Sequence, residues 1–147
     1  MSISVTSSID IARPAREVFD YVADFENNPA WQRGMKSARF TSEPPLGVGS
    51  TYDQVASFLG KEIVTSFEVT AFEPGSSVTI TSTSGTFPIE VTRTVEATGE
   101  GTCRASALVN GNPGGLFKLA GPLLRKMVQG SVRKDWANLK ALLEARG

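Results

Sequence analysis

Apolar and polar residues alternate along most of this chain and then, from Leu116 onward, fall into a spacing of three and four. Ile3, Val5, Ile9 and Ile11 alternate with polar neighbours between Ser2 and Ala12, the period of a strand with one buried face. Arg13-Pro14 ends that strand. Pro14 suits the first position of a helix, Glu17 falls in its first turn, and Ala15, Val18, Phe19, Val22 and Phe25 supply an apolar face through about Ala23. Asn28-Pro29 repeats the start signal, with Asn28 as cap and Pro29 opening a second short helix that carries Trp31.

From Met35 to about Asn110 the pattern is that of strands, near Met35–Thr41, Ser50–Phe58, Glu62–Phe72, Ser77–Ser82, Phe87–Ala97 and Thr102–Val109. Turn sequences separate them: Pro44-Pro45-Leu46-Gly47, Leu59-Gly60-Lys61, Glu73-Pro74-Gly75, Ser84-Gly85 and Gly99-Glu100-Gly101. Connections this short imply antiparallel neighbours, because parallel strands need a long crossover. The closing stretch, with Leu116, Leu119, Ala120, Leu123, Leu124, Met127, Val128, Val132, Trp136, Leu139, Leu142 and Leu143, carries a single helical stripe. Gly121-Pro122 predicts a kink there, leaving Pro122–Ala145 as a regular helix of about 36 Å.

The predicted fold is α+β: a curved antiparallel sheet of about seven strands wrapped around a long C-terminal helix, with two short helices after strand 1, in one domain over residues 1–147. A helix is only ~10–12 Å wide and cannot cover a face of such a sheet, so the sheet must curl round the helix, which leaves a cleft, or keep part of its concave face uncovered. Alternate positions give its expected lining: Ile63, Thr65, Phe67 and Val69, then Phe87, Ile89, Val91 and Arg93, then Cys103, Ala105 and Ala107. Leu123, Met127, Val128 and Ser131 form the helical wall. Small residues among these fill less space than a packed core requires. The competing expectation is that large side chains such as Leu123, Met127 and Trp136 plug the space.

Composition narrows the partner. The chain has 147 residues, 40% of them hydrophobic, and its 15 acidic and 15 basic residues cancel. That balance argues against nucleic acid and anionic membranes, and for a small hydrophobic partner chosen by shape. The N-terminus lacks the basic start and apolar block of a signal peptide, and no apolar run approaches the ~20 residues of a membrane span, so a soluble cytoplasmic protein is expected. A single cysteine, Cys103, allows no intrachain disulfide, and the absence of histidine removes histidine triads and the familiar Cys/His zinc sites. No metal or cofactor is expected.

Several segments carry a resemblance. Ile9 to Asp24 with Asn28-Pro29-Ala30-Trp31, Val48-Gly49-Ser50-Thr51, Phe67 to Pro74, Gly99-Glu100-Gly101-Thr102 and the ending Asp135 to Glu144 resemble, in that order, the polyketide cyclase/dehydrase and lipid-transport group. That group belongs to the START-like, Bet v 1-like superfamily. The resemblance implies a helix-grip fold with a hydrophobic ligand between sheet and helix. It does not choose among the group's cyclases, carriers, receptors and regulators, and no cyclase catalytic motif maps onto this chain.

Individual residues sharpen the expectation. The ligand-binding candidates are Trp31, Phe67, Val69, Phe87, Ile89, Val91, Leu123, Met127, Val128 and Ser131; the catalytic candidates are Tyr52, Asp53 and Arg93. Trp31 either closes one end of the cavity or anchors its own short helix. Arg93 interrupts an inward series and is either a buried charge able to hold a carboxylate or phenolate, or is turned to solvent by a twist or bulge. Tyr52 and Asp53 alternate, so one of them faces inward: the phenol to polarise a carbonyl, or the carboxylate as a base. Cys103 reads as an apolar filler, Trp136 as core, and Glu68 and Glu90 as solvated. Three functions follow: binding of a lipid-like or aromatic polyketide-like ligand, a polyketide cyclase or dehydratase using the same cavity, or a protein-interaction module without ligand.

Overall fold

Each run of alternating residues becomes a strand in the computed structural model, which describes residues 3–58, 60–85, 88–111 and 121–146, with side chains for all of these except 3, 58 and 121–124. The strands are β1 (Ile3–Ile11), β2 (Met35–Phe40), β3 (Thr51–Phe58), β4 (Lys61–Glu73), β5 (Ser77–Ser84), β6 (Ile89–Gly99) and β7 (Thr102–Gly111). They form one antiparallel sheet in the order β1-β7-β6-β5-β4-β3-β2. Thus β2 to β7 follow one another as a meander and β1 returns to pair with β7, Ile3 opposite Gly111 and Ile11 opposite Cys103.

The helices are α1 (Ala15–Ala23), α2 (Asn28–Trp31) and α3 (Gly121–Glu144), with a 3₁₀ turn at Phe25–Asn27 that the sequence pattern does not announce. Arg13 pairs with Glu17 across the first turn of α1 at 2.6 Å. Pro122 sits in the first turn of α3, where its missing N–H costs nothing. The apolar positions Leu116, Leu119 and Ala120, and with them the approach to the predicted kink, lie outside the described residues.

β4 changes parity partway along. Thr65, Phe67 and Val69 are buried, but the register with β5 shifts between Val69 and Ala71, and beyond this bulge Phe72 turns inward to meet Phe19 at 6.1 Å between ring centroids. The bulge lets one strand serve two parts of the core: Phe67 under α3, Phe72 under α1.

α3 is held at its margins. Lys140 Nζ donates to the Asp10 carbonyl at 2.9 Å, and Glu144 Oε2 accepts from Ala12 N at 2.8 Å. Arg125 Nε reaches the Ser4 carbonyl at 3.2 Å. All three partners belong to β1 or its end, so α3 covers that edge of the sheet. On the other side, Asp135 Oδ1 accepts from Arg33 N at 3.2 Å and Asn138 Nδ2 donates to the Trp31 carbonyl at 3.3 Å. None of these ties reaches the middle strands.

Candidate functional site

Between α3 and those middle strands lies a cavity of about 280 Å³. Tyr52, Gln54 and Ala56 of β3 form one side, with Ile63, Thr65 and Phe67 of β4 beside them. Ile89, Val91 and Arg93 of β6 and Ala107 and Val109 of β7 continue the sheet wall. α3 contributes Val128, Ser131, Val132, Asp135 and Trp136, and Trp31 and Gln32 come from α2 and its end. Ala56 and Ala107 stand where larger side chains would close the gap, so the helix and sheet meet only partially. Ser57 and Ser131 line the space yet are exposed, which marks its mouth. Tyr52, Arg93 and Trp136, at most 5% exposed, mark the closed end.

Arg93 points inward. Its Nη1 donates to the Val22 carbonyl at 2.8 Å and to Asn28 Oδ1 at 3.1 Å. Val22 lies in the last turn of α1, where carbonyls lack helical donors and a cation is favoured. Asn28, expected to cap α2, is instead buried with its amide oxygen on Arg93. The guanidinium lies between two rings, 4.9 Å from the Trp31 centroid and 5.5 Å from that of Phe25. Among the described residues no carboxylate forms an ion pair with it. Burial pulls its pKa below the ordinary value, opposed by the nearby Tyr52 and Asp135.

The aromatic rings continue on both sides of Arg93. Phe67 stacks on Tyr52 at 5.2 Å, Tyr52 on Phe25 at 4.5 Å, and Trp31 on Trp136 at 5.3 Å. Burial pushes the Tyr52 phenol well up, so it stays protonated at neutral pH. Burial also raises the Asp135 carboxyl, against the opposing influence of the Arg33 N–H, Arg93 and Arg33. Four buried polar atoms on lining residues have no partner among the described residues: Tyr52 Oη, Trp31 Nε1, Trp136 Nε1 and Gln32 Oε1. Three of the four are donors.

The candidates named from sequence divide by position. Trp31, Phe67, Ile89, Val91, Val128, Ser131, Tyr52 and Arg93 are together on the cavity wall. Val69 is fully buried but packs in the core beyond that wall. Met127 does not face inward: it is 39% exposed, about 100° round the helix from Val128. Asp53 is on the outer face, accepting from Ser66 Oγ at 2.7 Å, which is the consequence of Tyr52 facing in. Phe87 lies outside the described residues, as does the side chain of Leu123. Cys103 is buried as a filler, its thiol pushed up by burial. Asp135 and Gln32 are lining residues that sequence reasoning misses. A signal for Asp135 exists in Val128, Val132 and Leu139, whose spacing of four and seven centres position 135 on the inward stripe.

None of the described helices is long and apolar enough to cross a membrane. Among solved structures the fold is similar to a START superfamily protein of Mycobacterium smegmatis, with TM-score 0.83, 17% identity and coverage of 98% of this chain and 99% of that one. It is also similar to a protein of Thermus thermophilus, with TM-score 0.81, 20% identity and coverage of 98% and 99%. The Zhui aromatase/cyclase of a Streptomyces species gives TM-score 0.82 at 12% identity, covering 99% and 96%. At these identities the likeness concerns the fold alone. A comparison with curated proteins finds no match. The family model described as polyketide cyclase / dehydrase and lipid transport matches residues 2–144, and the chain belongs to that family.

Proposed function

We propose that this chain binds a small, mainly apolar molecule in the cavity between its sheet and α3. The observation that carries the reading is an unfilled space of about 280 Å³, walled by aliphatic and aromatic side chains and ending in a few convergent polar groups. Such a combination is the usual form of a small-molecule site. A space of this size suits a compact ring system or a short chain. Trp31, Phe67, Ile89, Val91, Val128 and Ser131 are the apolar and mouth contacts of this reading. Native mass spectrometry of gently purified protein, together with displacement of a hydrophobic dye, tests it. Bound small molecules or saturable displacement are expected; an empty protein that takes up no dye overturns the reading.

A cyclase or dehydratase reading draws support from a different observation. Asp135, a buried carboxyl with a raised pKa, shares the cavity wall with a neutral phenol and a guanidinium. A carboxyl that burial makes harder to ionise, beside groups that polarise a carbonyl, is suited to general acid work. Turnover of a poly-β-ketone substrate that is lost in a folded Asp135→Asn variant would establish this second reading, and absence of turnover with binding retained would leave the carrier.

A further inference from the structure

Arg93 is the one cation and Asp135 the one carboxylate among the described cavity-lining residues, and they form no ion pair. Asp135 Oδ1 is engaged by the Arg33 backbone N–H. Among the described residues Arg93 is held through Nη1, on Val22 and Asn28. Its Nε and Nη2 have no hydrogen-bond partner among the described residues. Those two nitrogens form the side edge of the guanidinium fork, and elsewhere in this molecule that edge is the one that takes carboxylates. Arg13 places Nε and Nη2 on Glu17 at 2.6 and 2.7 Å, and Arg104 places the same pair on Asp10 at 2.8 and 3.5 Å. A planar fork matched to two carboxylate oxygens is a specific recognition geometry.

The surroundings favour the same partner. The Arg93 charge is removed from water, which is costly unless it is paired. The unpartnered buried donors Tyr52 Oη, Trp31 Nε1 and Trp136 Nε1 outnumber the unpartnered acceptor Gln32 Oε1, so this end of the cavity favours negative charge on a guest. The mouth, by contrast, is formed by serines and aliphatic side chains.

We infer that the ligand is an apolar carboxylic acid, bound with its carboxylate on the free Nε/Nη2 edge of Arg93 and its hydrocarbon body toward Val128 and Ser131. The inference rests on the proposed binding function. It adds that the guest is ionised at one end, and that Asp135 competes with it for Arg93.

The test is calorimetric titration at neutral pH with two matched pairs, 2-naphthoic acid with its methyl ester and decanoic acid with its methyl ester. At least one acid should bind about tenfold or more tightly than its ester, the difference a charge-assisted hydrogen bond makes over a neutral one. Arg93→Gln should bring acid and ester together. Asp135→Asn, which removes the competing anion, should tighten the acid severalfold and leave the ester unchanged. Should Arg93→Gln fail to fold, by its circular dichroism, the comparison on the native chain and on Asp135→Asn still decides. An ester that binds as tightly as its acid, or an acid indifferent to Asp135→Asn, overturns the inference while the binding function stands. If neither pair binds and no hydrophobic dye is displaced, both fall.

Discussion

The Arg93 guanidinium lies over the Trp31 ring, 4.9 Å from its centroid, and thereby joins the interior strand β6 to the short helix α2. Its Nη1 also holds the end of α1 through the Val22 carbonyl. One side chain thus fixes both short helices to the sheet. Arg93→Lys keeps the charge but gives up the planar group between Phe25 and Trp31 and the shared donor. Urea denaturation should show a loss of about 1–3 kcal/mol, the cost of leaving a buried acceptor unmet. A lysine variant as stable as the native chain would count against this role.

Ala107 lies on β7 at the cavity wall and is 5% exposed. Ala107→Leu places added methyl groups in empty space instead of against packed neighbours. Its thermal midpoint should hold or rise, while dye displacement weakens at least tenfold, the usual sensitivity of an apolar pocket to lost volume. A variant that loses stability instead would show the cavity already filled.

The pH dependence follows from Asp135. Burial raises its carboxyl in the folded chain, so that chain holds the proton to higher pH than the unfolded one. The stability this group contributes is fully present below the ordinary carboxylate range and is lost as pH rises through the raised value. Asp135→Asn keeps an acceptor for the Arg33 N–H and removes that loss. Thermal midpoints of variant and native chain should be close at low pH, with the variant gaining as pH climbs toward neutrality. A gap that narrows instead would mean that the attraction of Arg93 for the charged form outweighs burial.

Two helix positions separate core from surface. Leu139 is fully buried on the inward stripe of α3, and Leu139→Ala should cost about 2–5 kcal/mol in chemical denaturation. Met127 is 39% exposed, and Met127→Ala should change stability by less than about 0.5 kcal/mol. Comparable losses at both sites would contradict the helix's orientation.

The strands and helices are legible because burial on one face leaves a period in the chain, as in Val5 to Ile11 and in Val128, Val132, Leu139 and Leu143. The polar end of the cavity is less so. Strand parity turns Arg93 inward while the cost of a buried charge argues for solvent, and the groups that resolve this conflict, Val22 and Asn28, lie 71 and 65 residues away in the chain. Asp135 shows no pattern of its own because a charged residue within a helical stripe looks like part of the solvated face. Its partner is a backbone N–H 102 residues earlier, invisible in residue types. Met127 reads inward from sequence because it is apolar, although its angle on the helix belongs to the outer side.

Trp31 and Trp136 are the only tryptophans in the chain, and their rings stack on each other at the wall of the cavity. Indole emission responds to the polarity and contacts immediately around the ring. All of this protein's tryptophan emission therefore originates beside the empty space, with Arg93 against one member of the pair. A guest that enters, or an added side chain that takes its place, changes the surroundings of the whole signal at once. The chain carries its own optical gauge of occupancy, requiring no label and reading no other part of the molecule.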